Sequence, residues 1–180
     1  NKKSIFNYFM FEQWNKSFIL IWGNILQMSI KVNKKAPNFL LLDQNNKEIE
    51  LYKLKSNLIL FFYPKDNTPG CTKEAISFSK YKNKINSLNY HIFGISKDSI
   101  KKHQGFIEKQ KLTIDLLSDE NKKTCEEYGV WVEKSMYGRK YFGIERTTFL
   151  INKDSIITKI WNKVKVPNHV EEVIKFIEEN

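Results

Sequence analysis

The stretch NLILFFYPKDNTPGCTKEAISFSKYKNKINSL, at residues 57–88, contains three segments of different character, and together they predict the class of fold. Asn57–Tyr63 is a continuous apolar run, which is typical of a central strand covered on both faces. A polar loop that contains two prolines follows, from Pro64 to Gly70. From Cys71 onward, apolar residues recur every three or four positions, which indicates an amphipathic helix. The stretch therefore predicts a buried strand, a loop and a helix that packs back onto the sheet.

The rest of the chain from Met28 onward continues this alternation of apolar runs and amphipathic segments. We predict further strands at 37–43, 48–51, 90–96, 113–117, 146–151 and 155–161, and further helices at 97–111, 120–128 and 169–179. Turn-forming residues join the first two of these strands and the last two, which indicates two hairpins, and Gly129 suits a left-handed helix cap. Strands that alternate with helices predict one α/β three-layer sandwich over residues 28–180.

Residues 1–27 do not share this pattern. The segment NKKSIFNYFMFEQWNKSFILIWGNILQ has neither strand alternation nor turn chemistry, and its longest apolar run is short for a signal-peptide core. We treat residues 1–27 as an N-terminal extension, for which three interpretations stay open. The segment is a dispensable extension or sequence upstream of a start at Met28, a targeting segment, or an additional packed helix.

The composition excludes several classes of protein. With 180 residues, 41% of them hydrophobic, the chain can bury one core, and its two cysteines exclude a disulfide-rich secreted scaffold. No apolar run approaches the ~18 residues that a membrane-spanning helix needs. The net charge of +10 raises the alternative of a nucleic-acid-binding module, but the lysines are scattered and only Arg139 and Arg146 among the 30 basic residues are arginines. We expect a monomeric, cytoplasmic protein with no membrane or nucleic-acid partner.

Cys71 lies where the buried strand and its loop give way to the N-terminus of a helix. Free N–H groups and the positive end of the helix dipole stabilise a thiolate at such a position. Two interpretations of Cys71 follow from its position alone: a reactive thiolate, or a small apolar residue that begins the buried stripe of the helix.

Thr68 and Pro64 favour the reactive interpretation. Thr68 precedes Cys71 by three residues, so its hydroxyl can lie beside the sulfur as donor and acceptor. Pro64 stiffens the loop and can shield the sulfur from water. This P-x-x-x-T-x-x-C spacing resembles the active-site signature of the peroxiredoxins, and YPKDNTPGCTKEA at 63–75 is most similar to their bacterioferritin comigratory protein (PrxQ) branch. A second similar block at 129–151 extends the resemblance over essentially all of residues 28–180.

The resemblance implies a thioredoxin-like fold with a central mixed sheet, and thiol-dependent reduction of hydrogen peroxide and organic hydroperoxides. Cys71 matches the peroxidatic cysteine, whose thiolate attacks the peroxide and becomes a sulfenic acid. Thr68 matches the hydroxyl that orients the peroxide, and Pro64 matches the shielding proline. Arg146 matches the arginine that stabilises the thiolate and the leaving oxygen. Glu74, one helical turn after Cys71, is a candidate to hold Arg146 by a charge-assisted bond.

The sequence departs from many relatives at one position. Where they carry a second cysteine five residues after the peroxidatic one, this chain has Ile76. Cys125 is the only other cysteine, and two ways of reducing oxidised Cys71 stay open. In the first, Cys125 acts as a resolving cysteine. In the second, which we favour, an external thiol such as thioredoxin, glutaredoxin or glutathione reduces the sulfenic acid.

Other chemistries lack their motifs in this sequence. There is no C-x-x-C dithiol and no Gly-rich phosphate loop, and the three histidines do not have the spacing of metal ligands. We expect no metal, flavin or haem, because the sulfur itself carries the oxidation chemistry. The alternative function is that of a peroxide sensor or holdase that uses Cys71 as a switch.

Overall fold

The structure, a computed structural model, describes residues 30–136 and 138–180, so the predictions for residues 1–27 lie outside the described residues. The strands are β1 (Leu40–Asp43), β2 (Glu48–Glu50), β3 (Asn57–Phe62), β4 (Tyr90–Ser96), β5 (Asp115–Ser118), β6 (Trp131–Met136), β7 (Arg139–Ile144), β8 (Thr147–Ile151) and β9 (Ile157–Trp161). The helices are α1 (Leu51–Leu54), α2 (Pro69–Ser87), α3 (Ile100–Gln110), α4 (Lys123–Glu127) and α5 (His169–Glu179). None of the helices in the described ranges has the length and apolar character needed to cross a bilayer.

Seven strands form one mixed sheet in the order β2-β1-β5-β4-β3-β8-β9. β3, β4 and β5 are parallel neighbours, whereas β1 and β8 run antiparallel to the strands on either side of them. Leu60 at the middle of β3 is aligned with Phe93 of β4 and Phe149 of β8, so β3 is the fully covered central strand that its continuous apolar run predicts. The mixed sheet, its flanking helices and both predicted hairpins are confirmed.

The sheet separates two hydrophobic cores, because successive side chains of a strand point to opposite faces. Leu58, Leu60 and Phe62 of β3 pack with Cys125 of α4, on the face that we call the α4 core. On the other face, which we call the α2 core, alternate residues of β3 pack with helices α2, α3 and α5, and Cys71 is among the buried residues there. The two cysteines therefore lie on opposite faces of the central sheet.

Gly94 of β4 leaves room for the side chains of Phe61 and Leu116 on the two neighbouring strands. A Cβ atom at this position would lie 2.6 Å from the ring of Phe61 and 2.7 Å from the side chain of Leu116, so any substituted residue would have to displace these two side chains. Phe61 in turn stacks on Phe78 of α2, with ring centroids 4.5 Å apart. This packing fixes the depth at which α2, and with it the residues of its first turn, lies against β3.

Two predicted helices begin later than expected, and local hydrogen bonds give the reason. The helix predicted at 97–111 begins at Ile100 because the backbone N–H of Asp98 donates to the Ser96 hydroxyl at 3.1 Å, which closes a turn first. The helix predicted at 120–128 begins at Lys123 because Lys122, with φ +64°, ends a turn in which its N–H donates to the Asp119 carbonyl. Gly129, with φ +67°, ends this helix as predicted.

Strands β6 and β7 form a separate antiparallel hairpin that the sequence analysis did not predict. Charged and apolar side chains along both strands do not alternate with period two, and much of the hairpin is exposed, so the usual signal of a half-buried strand is missing. The hairpin leads directly into Glu145 and Arg146, which connect it to β8.

Candidate active site

The first turn of α2 positions Cys71. Thr68 is the N-cap residue and has extended backbone angles, Pro69 occupies the first helical position, and Cys71 is therefore the third residue of the helix. The first N–H groups of a helix have no carbonyl partner within it, so they and the helix dipole favour negative charge at this end. The Cys71 side chain is only 1% exposed. The fold therefore places the Cys71 sulfur at the positive end of a helix and shields it from bulk solvent.

Arg146, from the short connection between β7 and β8, joins the sulfur to a carboxylate. Its Nη2 atom donates to Cys71 Sγ at 3.2 Å, and its Nη1 atom donates to Glu74 Oε2. Gly70 makes room for this contact, since a Cβ atom at position 70 would lie 3.3 Å from Nη2. The planar fork of the guanidinium thus contacts the nucleophile and its supporting carboxylate at the same time. The structure brings together Cys71, Arg146 and Glu74 as the sequence analysis expected.

Glu74 is a fully buried carboxyl group one helical turn after Cys71. Burial raises the pKa of Glu74 to about 7, although the nearby charge and hydrogen bond of Arg146 act in the opposite direction. Its second oxygen, Oε1, has no hydrogen-bond partner among the described residues, which adds to the cost of burying the charged form. Arg146 is therefore held by a carboxylate that carries its charge at a considerable cost in solvation.

The raised pKa of Glu74 predicts a pH dependence of stability. An exposed glutamate in the unfolded chain titrates near ~4.3, so between that pH and about 7 the folded protein binds the proton more tightly than the unfolded chain does. The contribution of Glu74 to the free energy of unfolding consequently falls as the pH rises through this interval. We expect the free energy of unfolding of the wild type, minus that of Glu74→Gln, to fall by on the order of 3 kcal/mol between pH 4.5 and 8, as measured by urea denaturation.

Glu108→Gln is a matched control for this measurement, because Glu108 is an exposed residue of helix α3. Its difference from the wild type should be the same at both pH values. A difference for Glu74→Gln that is constant or rises with pH would show that Glu74 does not bind a proton more tightly in the folded protein.

Thr68 and Pro64 lie in the loop before α2, as predicted. The hydroxyl of Thr68, however, does not make the expected contact with the Cys71 sulfur. The Thr68 hydroxyl donates to the carbonyl oxygen of Lys65 at 3.0 Å, and in the described part of the chain it has no hydrogen bond to Cys71 Sγ. This bond closes the loop just before the N-cap, and a hydroxyl oxygen that donates its proton can still accept a hydrogen bond. Pro64 is half-buried at the start of the same loop. The roles of both residues toward a peroxide stay predictions.

Cys125 lies apart from this cluster, in the α4 core on the other face of the sheet. It is fully buried, and its backbone N–H donates to Asp119 Oδ2 at 2.8 Å. Burial, together with the negative charge of Asp119, strongly raises the pKa of the Cys125 thiol. Cys125 therefore has the properties of a structural thiol, and the structure does not bring it near Cys71.

Sequence reasoning missed a second group of polar residues next to the site. Tyr63, Asp66 and His103 are all buried and are hydrogen-bonded to one another below the loop that leads to Cys71. Tyr63 and Asp66 lie inside the motif itself, but the partner that explains them, His103, is 37 residues from Asp66 along the chain. Residues 30–136 and 138–180 contain no cluster of three or more His, Cys, Asp or Glu side chains that could hold a metal ion.

Comparison with known sequences identifies the family. Residues 32–160 match the sequence profile of the AhpC/TSA family. Peroxiredoxin Bcp of Bacillus subtilis is 40% identical over 153 residues, which are 84% of this chain and 98% of that protein. A bcp relative from Coxiella burnetii is 49% identical over 148 residues, 82% of this chain and 98% of the relative. The matches thus extend over nearly the whole length of the relatives.

Comparison with solved structures agrees with the sequences. The PrxQ of Xylella fastidiosa superposes with a TM-score of 0.78 at 35% identity, over 83% of this chain and 96% of that one. The bacterioferritin comigratory protein of Xanthomonas campestris, described by its alkyl peroxide reduction activity, has a TM-score of 0.75 at 34% identity and covers 78% of this chain and 90% of its own. The thioredoxin-like fold and the resemblance found in the sequence are thereby confirmed. The chain belongs to the AhpC/TSA family and is a thiol-dependent peroxidase of the peroxiredoxin Bcp, or PrxQ, type.

Proposed function

We propose that Cys71 is the peroxidatic cysteine of this peroxidase and that it reduces hydrogen peroxide and organic hydroperoxides. The contact of Arg146 Nη2 with Cys71 Sγ, at 3.2 Å, is the observation that carries the proposal. This contact places a permanent positive charge beside a sulfur that already lies at a helix N-terminus. Among the described residues, no arginine donates to the sulfur of the other cysteine, Cys125. The alkyl peroxide reduction activity described for the similar Xanthomonas campestris protein supports organic hydroperoxides as substrates.

The first step is a two-electron transfer from sulfur to peroxide. The Cys71 thiolate attacks the terminal oxygen of ROOH, an S–O bond forms, the O–O bond breaks, and the leaving RO⁻ takes up a proton to give ROH. Arg146 stabilises the thiolate before the reaction and the negative charge on the leaving oxygen during it. We assign to Thr68 the orientation of the peroxide and to Pro64 the shielding of the sulfur. Glu74 acts on the reaction only through Arg146 and is a positioning residue.

The second step returns Cys71 to the thiol, and we propose that it uses an external thiol. One external thiol condenses with the sulfenic acid to give a mixed disulfide with Cys71 and a water molecule. A second external thiol then attacks the mixed disulfide, which links the two external thiols in a disulfide and releases Cys71 as a thiolate. Ile76, on the first turns of α2, replaces the nearby resolving cysteine of many relatives. Cys125 is buried on the opposite face of the sheet, whereas a disulfide requires Cα atoms within ~7 Å of each other.

Replacement of Cys125 tests this second step. Because Asp119 Oδ2 accepts the backbone N–H of Cys125 at 2.8 Å, this carboxylate lies close enough to receive a serine hydroxyl at position 125, and we expect Cys125→Ser to fold. The variant should retain most of the peroxidase turnover of the wild type when dithiothreitol or thioredoxin supplies the electrons. After one equivalent of peroxide without reductant, mass spectrometry of the wild type should find a sulfenic acid at Cys71, trapped with dimedone.

The same experiment can contradict the proposal. A quantitative Cys71–Cys125 disulfide in the wild type, together with loss of turnover in Cys125→Ser, would show that Cys125 is the resolving cysteine. Because the two cysteines lie on opposite faces of the sheet, such a result would require one or both of their helices to leave the sheet in every catalytic cycle.

A turnover count distinguishes the peroxidase from a peroxide sensor or holdase that uses the same cysteine. With peroxide in excess and each of dithiothreitol, glutathione with glutaredoxin, and thioredoxin with its reductase as donor, an enzyme consumes many equivalents of peroxide per chain. A sensor stops after one equivalent. The donor that supports the highest rate identifies the class of physiological reductant.

We also propose that the protein acts as a monomer in the cytoplasm. Both cysteines are free and buried, and this agrees with a reducing compartment, where disulfides are rare. Light scattering at the protein concentration of the peroxidase assay tests the monomer.

A further inference from the structure

The side chains of Tyr63, Asp66 and His103 form a buried polar cluster at the loop between β3 and α2. The Tyr63 hydroxyl donates to Asp66 Oδ1 at 2.7 Å, and His103 Nδ1 lies 2.8 Å from Asp66 Oδ2. Tyr63 and His103 are completely buried, and Asp66 is 6% exposed. Both oxygens of one carboxylate are therefore used, one by the last residue before the loop and the other by helix α3.

The main chain of the loop is held at the same point. The backbone N–H of Asp66 donates to Asp98 Oδ2 at 2.8 Å, and the same oxygen accepts the hydroxyl of Ser96 at 3.0 Å. Asp98 is itself 3% exposed. Asp66 is thus fixed through its side chain by His103 of α3 and by Tyr63, which directly follows β3, and through its backbone by Asp98 in the connection that follows β4.

The residues after Asp66 transmit this position to the active site. Asn67 has φ +57°, a left-handed conformation that turns the chain, and Thr68 then closes the loop on the Lys65 carbonyl and begins α2. Only two residues separate Thr68 from Cys71. A shift of Asp66 therefore moves the N-cap of the helix on which the sulfur and its contact with Arg146 depend.

Stability alone does not account for such a cluster. Burial of a carboxylate and its partners costs solvation free energy, and apolar residues of similar volume often stabilise a core at least as well. A network in which every group is satisfied does, however, select one backbone conformation out of several. For a loop that must place a nucleophile, this selection has a catalytic value, because a displacement of about 1 Å can cost on the order of a hundredfold in rate.

We propose that Asp66 and His103 are positioning residues for the reaction at Cys71, and that they hold the loop 64–68 in the one conformation that brings the sulfur to Arg146. The inference rests on the proposed role of Cys71 as the peroxidatic cysteine. Neither residue touches the sulfur or the peroxide. They act through the loop, and Tyr63, the residue that follows β3, supports them by its hydrogen bond to Asp66.

The test uses two reactions of Cys71 that should change in opposite directions. Stopped-flow measurement without reductant gives the rate constant for oxidation of Cys71 by hydrogen peroxide, and labelling with a bulky maleimide reports how often the loop opens. His103→Leu removes one of the two side-chain partners of Asp66, and we expect at least tenfold slower oxidation together with faster labelling. His103→Asn keeps an N–H donor near the position of Nδ1 and should restore both rates to within about threefold of the wild type.

Asp119→Asn is the matched control. Asp119 is another buried carboxylate at the same edge of the sheet, and it accepts the backbone N–H groups of Thr124 and Cys125 instead of contacting the loop. It should lower the free energy of unfolding and leave the oxidation rate of Cys71 unchanged. This control separates a loss of stability from a loss of position.

Tyr63→Phe keeps the test decisive if His103→Leu does not fold. The variant removes one hydroxyl and keeps the ring that stacks on Phe61 at 5.5 Å, and we expect a several-fold slower oxidation. Unchanged oxidation and labelling rates in the folded variants of Tyr63 and His103 would overturn the inference. Failure of the wild type to be oxidised at Cys71 would instead refute the proposed peroxidatic role, so the two failures are distinguishable.

Discussion

Replacement of Cys71 by serine should reduce peroxide consumption to the uncatalysed background and leave the fold intact. The reaction requires a thiolate that attacks the peroxide oxygen and is oxidised to a sulfenic acid. A serine hydroxyl is a weak nucleophile near neutral pH, and its oxygen cannot take over the role of the sulfur in this oxidation. Serine is close to cysteine in size, and the site provides the Arg146 guanidinium as a donor to the new oxygen, so the buried position tolerates it. Peroxide consumption with excess dithiothreitol measures the activity, and near-ultraviolet circular dichroism measures the fold.

Cys125→Ser serves as the control for this variant, since it makes the same chemical change on the other face of the sheet. Turnover in Cys71→Ser above a few per cent of the wild type would show that the chemistry does not depend on the sulfur of Cys71. Activity lost equally in both serine variants would show that each thiol is required.

Arg146→Lys should slow the reaction of Cys71 with peroxide by an order of magnitude or more, which corresponds to ~1.4 kcal/mol of transition-state stabilisation per tenfold. Arginine contacts Sγ with Nη2 and Glu74 with Nη1, and a single ammonium group cannot make both contacts in the same geometry. A lysine that remains on the buried Glu74 carboxylate withdraws from the sulfur. Stopped-flow fluorescence without reductant measures the second-order rate constant.

The other arginine of the chain provides a matched control. Arg139 lies on the exposed strand β7, and Arg139→Lys should react with peroxide as fast as the wild type. If Arg146→Lys also reacts at the wild-type rate, only the charge at position 146 matters, and the proposed two-point contact of the guanidinium is wrong.

Local sequence patterns predicted most of the fold because its elements have clear periodicities. The continuous apolar run of β3 identified the central strand, and the stripe from Cys71 to Leu88 identified α2. The β6–β7 hairpin was missed because its exposed strands carry no alternating pattern, and hydrogen bonds between its two strands hold it together instead. The start of α3 was misplaced because the competing turn depends on the Ser96 side chain.

In the candidate site, too, residues that lie close together in the sequence could be predicted, whereas a contact between residues far apart in the sequence was missed. The spacing of Pro64, Thr68 and Cys71 is local, and the scarcity of arginine drew attention to Arg146, so these residues could be selected from the sequence alone. The contact between Asp66 and His103 joins residues 37 positions apart on different elements. No periodicity reports such a contact, because it follows from the parallel order of β3, β4 and β5, whose ends meet at one edge of the sheet.

The separation of the two cysteines by the sheet has a consequence for the survival of the enzyme during peroxide stress. If oxidised Cys71 has no internal partner, its sulfenic acid persists until a thiol arrives from solution, and a second peroxide that arrives first converts it to a sulfinic acid that thiols do not reduce. Each cycle is then a competition between two second-order reactions at one sulfur. The number of cycles that a chain completes before permanent inactivation is therefore set by the ratio of thiol to peroxide around it.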